Sequence, residues 1–240
     1  MAMCRLYLNA SLKSGCEVKL SSEHGHYLRQ VMRRKCGDSM IVFDGHGGEY
    51  AAEIVHLGKA HSTCLIREFI NVERELSVKI HVVQAACHNK KVETVLQKAT
   101  ELGAASFQIA TGARSQMKLP EQKHKIRLKR WQKIIIEAAE QSGRTRIPTI
   151  DWLPALSDIH IRGTAYTLHP EATEPWHGVR ASILKANEIT FAIGPEGGWS
   201  PLDLSILQEQ GCKCLCFGSR IMRTETAAPA LLAAIQAITD

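Results

Sequence analysis

The sequence predicts an α/β protein whose larger part is a mostly parallel sheet flanked by helices, preceded by a small β-barrel. Two patterns carry that prediction. Over roughly the first seventy residues, short apolar runs are separated by turns rich in glycine and aspartate, the spacing of a small barrel. From about Asn71–Leu76 onward, strand-like and helix-like segments alternate, as they do when crossover helices join parallel strands. A chain of 240 residues, 45% hydrophobic and 22% charged, can build such a core without metal or disulfide staples.

The barrel strands are expected at Cys4–Leu8, Ser39–Phe43, Tyr50–Val55 and Ser62–Arg67, punctuated by Cys36-Gly37-Asp38 and Asp44-Gly45-His46-Gly47-Gly48. Between the first two lies a basic helical stretch, His24 to Lys35, which alone reads as a solvated face. In the larger part, Val78–Ala86 is a continuous apolar run fit for a central strand. Val92, Val95, Leu96, Ala99 and Leu102 then keep helical spacing until Gly103 caps the helix. Phe107–Ala110 is a short strand, and Pro120–Ser142 a long helix closed by Gly143. Thr164–Leu168, Ile189–Ile193 and Lys213–Phe217 are further strands, and a last helix runs from about Thr224 to Ile238.

The net charge of +6 permits a polyanionic partner without requiring one. No export signal is expected at the start, and the apolar stretch Ala227–Ile238 is too short to span a membrane and holds Pro229 and Gln236. Eight scattered cysteines read as reduced thiols in a cytoplasm. Cys212, Cys214 and Cys216 alternate as one face of a strand; without a second ligand pair they are a buried face rather than a zinc site, and no metal is expected.

Ligands of parallel sheets bind beyond the carboxyl ends of the strands. Three loops occupy that position: His169–Glu171, Gly194–Ser200 and Gly218–Arg223. In the second, GPEGGWS, three glycines let a ligand lie against main-chain N–H groups, and Ser200-Pro201 with Asp203 has the pattern of a capped helix start. It matches neither a P-loop nor GxGxxG, and by itself it is as much a turn as a binding loop. The third loop sets Arg220 and Arg223 three residues apart, near Glu225, a pair suited to gripping a negative group.

GPEGGWS followed by GSRIMRTETA resembles the RsmE family of the SPOUT methyltransferase superfamily. Earlier segments agree in order: His26-Tyr-Leu-Arg-Gln-Val-Met-Arg33 before Gly37-Asp38, Gln97-Lys-Ala-Thr-Glu-Leu-Gly103, Arg114-Ser115, and Glu137-Ala-Ala-Glu-Gln-Ser-Gly-Arg144. The resemblance implies methyl transfer from S-adenosyl-L-methionine to N3 of a uridine in 16S ribosomal RNA. It implies a PUA-like β-barrel for residues 1–72 and, for 73–240, a SPOUT-type parallel sheet with a C-terminal trefoil knot. It also implies a homodimer with the cofactor cleft close to the subunit interface. The chain departs from the family at Ala110-Thr111, where a proline is usual, and at Met222, where leucine is usual; Met for Leu conserves volume.

Within that resemblance the residues take expected roles. Arg220 or Arg223 would stabilise the uracil anion, with Glu225 or Glu196 as proton acceptor or positioning group. Leu168 and His169, Ile193, Gly194, Pro195, Glu196, Gly197 and Gly198, and Phe217, Gly218, Ile221 and Met222 would hold the cofactor, largely by main chain. His169 is then a loop residue rather than a base. Arg5, His26, Arg29 and Arg33 in the barrel would track RNA phosphates, with Arg114 and Arg144 and, around the long helix, Lys118, Lys123, Lys125, Lys129, Arg130 and Lys133. Two rival readings share much of this: a non-catalytic RNA-binding or ribosome-assembly protein, against which the intact loops argue, and a transferase acting on ribose or another base.

Overall fold

The computed structural model describes residues 4–117 and 120–239, in two compact units. The first runs through Glu75 and also takes in Ala139–Ile147; the second comprises Leu76–Ala138 and the chain from Pro148 onward.

In the first unit, β1 (Arg5–Tyr7), β2 (Glu17–Leu20), β3 (Ser39–Phe43), β4 (Glu49–Leu57) and β5 (Ser62–Ile70) form one half-barrel sheet in the order β1-β3-β4-β5-β2. Only β1 and β3 run parallel. Among the described residues no pairing of β1 with β2 closes the sheet. Its concave face buries Leu6, Leu20, Leu28, Met40, Val42, Ile54 and Ile66. The charged alternation of Glu17–Leu20, with a single fully buried residue, hides β2 from a hydrophobic reading. The expected His24–Lys35 helix is shorter than its spacing suggests. It consists of α1 (Ser22–His26), capped by the Ser21 side chain accepting from His24 N–H at 3.0 Å, and a π-helical turn over Tyr27–Val31. Arg33 sits at φ 51°, left-handed backbone in which a helix cannot continue.

Segment Ala139–Ile147 belongs with this unit for reasons of charge. Glu49 is buried between Arg5 and Arg74, the latter at 2.9 Å, and Arg5 also donates to the carbonyls of Gly143 and Arg144. Burial would raise the Glu49 carboxyl, but hydrogen bonds from Arg74 and Arg5 outweigh it and hold the group below its ordinary range. Arg144, itself buried, grips Glu75 with both Nε and Nη2.

In the second unit, six strands form an all-parallel sheet in the order β11-β9-β10-β6-β7-β8. These are β6 (Lys79–Ala85), β7 (Ala104–Ala110), β8 (Thr149–Leu153), β9 (Thr164–Leu168), β10 (Glu188–Ile193) and β11 (Cys212–Leu215). Helices α2 (Asn89–Glu101), α3 (Glu121–Ser142), α4 (Trp176–Lys185), α5 (Pro201–Glu209) and α6 (Thr224–Thr239) connect or follow them. Every residue of β6 after Lys79 is buried, as a central strand covered on both faces requires. One face of α2 (Val92, Val95, Leu96, Ala99) packs against α6, which buries Leu231, Leu232 and Ile235. Strand β8, half-buried along most of its length, carries too weak an apolar run to be read from sequence. The last strand ends at Leu215 instead of Phe217, so Cys212 is buried and Cys214 half-buried on it, while Cys216 falls outside. There the Cys216 Sγ lies 3.2 Å from the Gly218 carbonyl.

The chain leaves β6 toward β7 and β8 on one side, and β10, β9 and β11 occupy the other. Strand order therefore reverses between β6 and β10, the point at which open parallel sheets hold ligands.

Replacing Arg144 with Met leaves the Glu75 carboxylate without its guanidinium. The expected cost is about 3 kcal/mol, read as a lowered urea midpoint, as for removal of one partner of a buried pair. A midpoint equal to the wild type would contradict this account of the 139–147 segment.

Candidate active site

The three loops expected at strand ends are neighbours at one end of the sheet. The β9 and β11 exits are tied together: His169 N–H donates to the Leu215 carbonyl at 3.1 Å. The His169 ring turns back on its own loop, its Nδ1 accepting from Glu171 N–H at 3.3 Å, which suits a structural role better than proton transfer. After β11, the chain is pinned by Cys216 N–H to the Glu174 carbonyl and Trp176 N–H to the Cys216 carbonyl, and Phe217 meets Trp176 edge-on at 5.0 Å. Beyond this point the backbone is free. Among the described residues no N–H from Phe217 to Arg223 donates to another backbone group.

The Gly194–Ser200 loop is held from beneath. Pro195 to Gly198 form a turn closed by Gly198 N–H to the Pro195 carbonyl at 2.9 Å, with Gly198 at φ 67°. Gly218 has φ 79°, and at both glycines a Cβ would meet nothing within 4 Å, so conformation rather than crowding demands glycine there. Trp199 is buried against the backbone of Gly112, where a Cβ would come within 3.3 Å of the indole. The predicted cap is present in full: Ser200 accepts from Asp203 N–H at 3.1 Å and Asp203 accepts from Ser200 N–H at 2.9 Å. The other oxygen of Asp203 accepts from Ala113 N–H at 3.0 Å, joining the loop after β7 to α5. Arg114 completes this brace, donating to the carbonyls of Gly197 at 2.8 Å and Trp199 at 3.4 Å.

Two links join the Gly194 loop to the start of α6. One is neutral and buried. Thr224 Oγ1 donates to the Gly194 carbonyl at 2.6 Å and accepts from Gln84 Nε2, at the end of β6, at 2.9 Å. The other is ionic. Lys91 in the first turn of α2 places its Nζ 3.3 Å from Glu196 and 3.6 Å from Glu225. Glu196 also accepts from His88 N–H at 3.3 Å. Burial alone would raise the Glu196 carboxyl; its own N–H, the His88 N–H and the Lys91 ammonium overcome that and lower it, so this carboxylate is a weak base. Full burial, with the Glu196 charge nearby, pushes the Cys87 thiol up to about 12 and makes it inert. Arg220 and Arg223 are exposed and make no ion pair among the described residues.

Comparison with known proteins agrees with this architecture. The RNA methyltransferase domain family matches residues 74–236, and the RNA methyltransferase PUA domain family matches residues 20–66. Ribosomal RNA small subunit methyltransferase E of Bacillus subtilis is 33% identical over 92% of this chain and 90% of its own length. The chain belongs to the ribosomal RNA small subunit methyltransferase E family. A Synechocystis protein of the same name is 33% identical over 93% of this chain and 74% of its own. The Neisseria gonorrhoeae ribosomal RNA small subunit methyltransferase E, crystallised with S-adenosyl methionine, superposes with a TM-score of 0.90. It is 29% identical and covers 99% of this chain and 98% of its own.

In this family member the residues expected to meet RNA separate into two groups. His26 and Arg33 are exposed, and Lys123, Lys125 and Lys129 are exposed on α3. The others have internal partners. Arg5 pairs with Glu49, Arg29 donates to the Gly58 carbonyl, Arg144 pairs with Glu75, and Arg130 pairs with Glu93. Arg114 braces the glycine loop, and Lys133 lies 4.0 Å from Glu137; Lys118 is outside the described residues. Conversely, Lys91, Gln84 and Asp203 hold the site although nothing in the sequence singled out the first two, and Asp203 only as a cap. A lysine on a helix carries no local mark of two carboxylates distant in sequence, one on a loop and one on another helix.

Two outcomes follow from the geometry. Asp203→Ala should cost about 1–3 kcal/mol in chemical denaturation, because three N–H and O–H donors lose one buried acceptor group. The folded-state lowering of Glu196 gives stability that is complete above its ordinary value of 4.5 and fades as pH falls through the lowered one. The difference in urea midpoint between wild type and Glu196→Gln should therefore be present at neutral pH and shrink below that value; a difference that grows in acid would refute the sign.

Proposed function

We propose that the protein transfers the methyl group of S-adenosylmethionine to N3 of a uridine in the 16S RNA of the small ribosomal subunit. Family membership supports the reaction class, and the observation that carries the cofactor is the main chain of the three loops. Unpaired N–H groups of Phe217–Arg223 and open space over Gly198 and Gly218 form a cradle of backbone donors. Apolar Ile193 and Leu168 stand beneath it at the strand ends. That lining suits a cofactor with an adenine edge to be hydrogen-bonded and a sulfonium that a strongly basic pocket would repel.

Bound there, the cofactor supplies an electrophilic methyl carbon on a positively charged sulfur. The protein's task is to make the uridine a nucleophile. N3 carries a proton, and its loss leaves negative charge on the flanking uracil oxygens. Arg220 and Arg223, both unpaired and exposed beside the cradle, are the groups that stabilise that charge. As the N3–carbon bond forms, the carbon–sulfur bond breaks with its electron pair to sulfur, and the N3 proton passes to Glu225 or through it to solvent. Both carboxylates face Lys91, but Glu196 also accepts from His88 N–H, which favours Glu225 for that task. Glu196 serves as a loop anchor.

The rest of the molecule fits around this reaction. Residues 1–72, with the 139–147 segment that the first unit takes in, act as a PUA-like RNA-binding domain with His26 and Arg33 available to phosphates, and the rest of 73–240 as the transferase. A C-terminal trefoil knot is supported by the insertion of β10 between β6 and β9 and by the return of α6 onto α2. A homodimer is supported by Ile221 and Leu202, apolar side chains 84% and 65% exposed on the loop and helix that flank the pocket. No described helix is long and apolar enough to cross a membrane, and no described cluster of three or more His, Cys, Asp or Glu is placed to hold a metal. The names of its ribosomal RNA methyltransferase relatives support reading it as a cytoplasmic enzyme that works on ribosomal particles.

Mass-spectrometric mapping of small-subunit RNA after incubation with enzyme and labelled cofactor should find one 3-methyluridine. A methylated ribose or another base would overturn the choice of N3, and no transfer would favour a binding protein. Arg223→Ala should lower kcat by about 100-fold, the scale of one lost oxyanion donor, while cofactor affinity changes little; wild-type activity in that variant would remove Arg223 from the mechanism.

A further inference from the structure

We propose that Lys91 is a positioning residue that locks the two halves of the cofactor pocket together, acting through Glu196 on the glycine loop and through Glu225 on the first turn of α6. The inference rests on the methyltransferase reading. Its basis is an arrangement of three charges contributed by three different elements. One ammonium on α2 lies within ion-pair distance of two partly buried carboxylates that leave the ends of other segments. Among the described residues it is the one cation paired to either of them. The Glu225 oxygen 3.6 Å from Lys91 is buried and accepts no hydrogen bond, so the ammonium is its main compensation; at Glu196 the ammonium adds to the N–H groups of His88 and of the residue itself. Without it, two like charges would share a partly dry site, and each would move toward water.

The direction of that movement matters for function. Glu196 sits between Pro195 and Gly197 in the loop that the methyltransferase reading sets against the cofactor. Glu225 follows Thr224, at the start of the helix that leaves the arginine-bearing loop. Release of the carboxylates would loosen both walls of the cradle at once. The fold itself would survive, because the buried Gln84–Thr224–Gly194 chain joins the same two segments without charge. Lys91 is thus a tuning element laid over a neutral joint.

Calorimetric titration with S-adenosylmethionine, in the absence of RNA, tests the idea. The Lys91→Met variant should bind about tenfold more weakly, the scale of one lost charge pair that is only partly desolvated. Lys91→Arg should restore most of the affinity. Combining Lys91→Met with Glu225→Gln should recover part of it, since one of the two repelling charges is gone. In turnover assays the KM for the cofactor should rise in Lys91→Met while the KM for the RNA substrate holds. Equal cofactor affinity in Lys91→Met and wild type would overturn the proposal. So would equal losses in the Met, Arg and double variants, which would mean that packing rather than charge is at work. Absence of binding by the wild type would instead overturn the methyltransferase reading, and this inference with it.

Discussion

The placement of β10 between β9 and β6, all three parallel, is the constraint from which the site follows. A strand in that position must be apolar on both faces, and Ile189–Ile193 is buried throughout. Parallel neighbours must also end together, so the loops after β6, β9, β10 and β11 emerge at one edge of the sheet. The reversal of strand order between β6 and β10 parts those loops and leaves room between them. His88 and Lys91 follow β6, Glu196 follows β10, and their meeting is a direct result of that register.

Around the opening, side chains and backbone divide the labour. Side chains with fixed partners set the loops: Asp203 and Arg114 under the glycine turn, Thr224 at its root, Cys216 and Trp176 behind the arginine loop. Backbone N–H groups are left unspent toward the cleft. The two arginines make no ion pair among the described residues, which costs little in water and leaves their charge uncommitted within the protein. Rigid support with free donors is the preorganisation that transition-state stabilisation requires.

Strand positions in the second unit were legible because continuous apolar runs and glycine-closed helices survive in one dimension. The same reading recovered the Ser200–Asp203 cap, where the partners are three residues apart. It missed β2 and β8, edge strands whose weak burial leaves no apolar run. It drew the His24–Lys35 helix too long because the left-handed backbone at Arg33 has no compositional mark. Charge was the least legible property. Arg5 and Arg144 look like surface cations in sequence, yet each answers a carboxylate, Glu49 or Glu75, brought to it by the fold. Lys91 is the converse, unremarkable in its helix and central in space.

The membership of Ala139–Ile147 in the first unit means that the polypeptide passes between the units three times. The half-barrel is therefore not a detachable leader. A fragment ending near residue 75 would lack the Gly143 and Arg144 carbonyls that accept from Arg5 and the guanidinium that donates to Glu75. A cut anywhere between residues 76 and 138 would therefore part the first unit from a segment of its own, even though it falls wholly within the second.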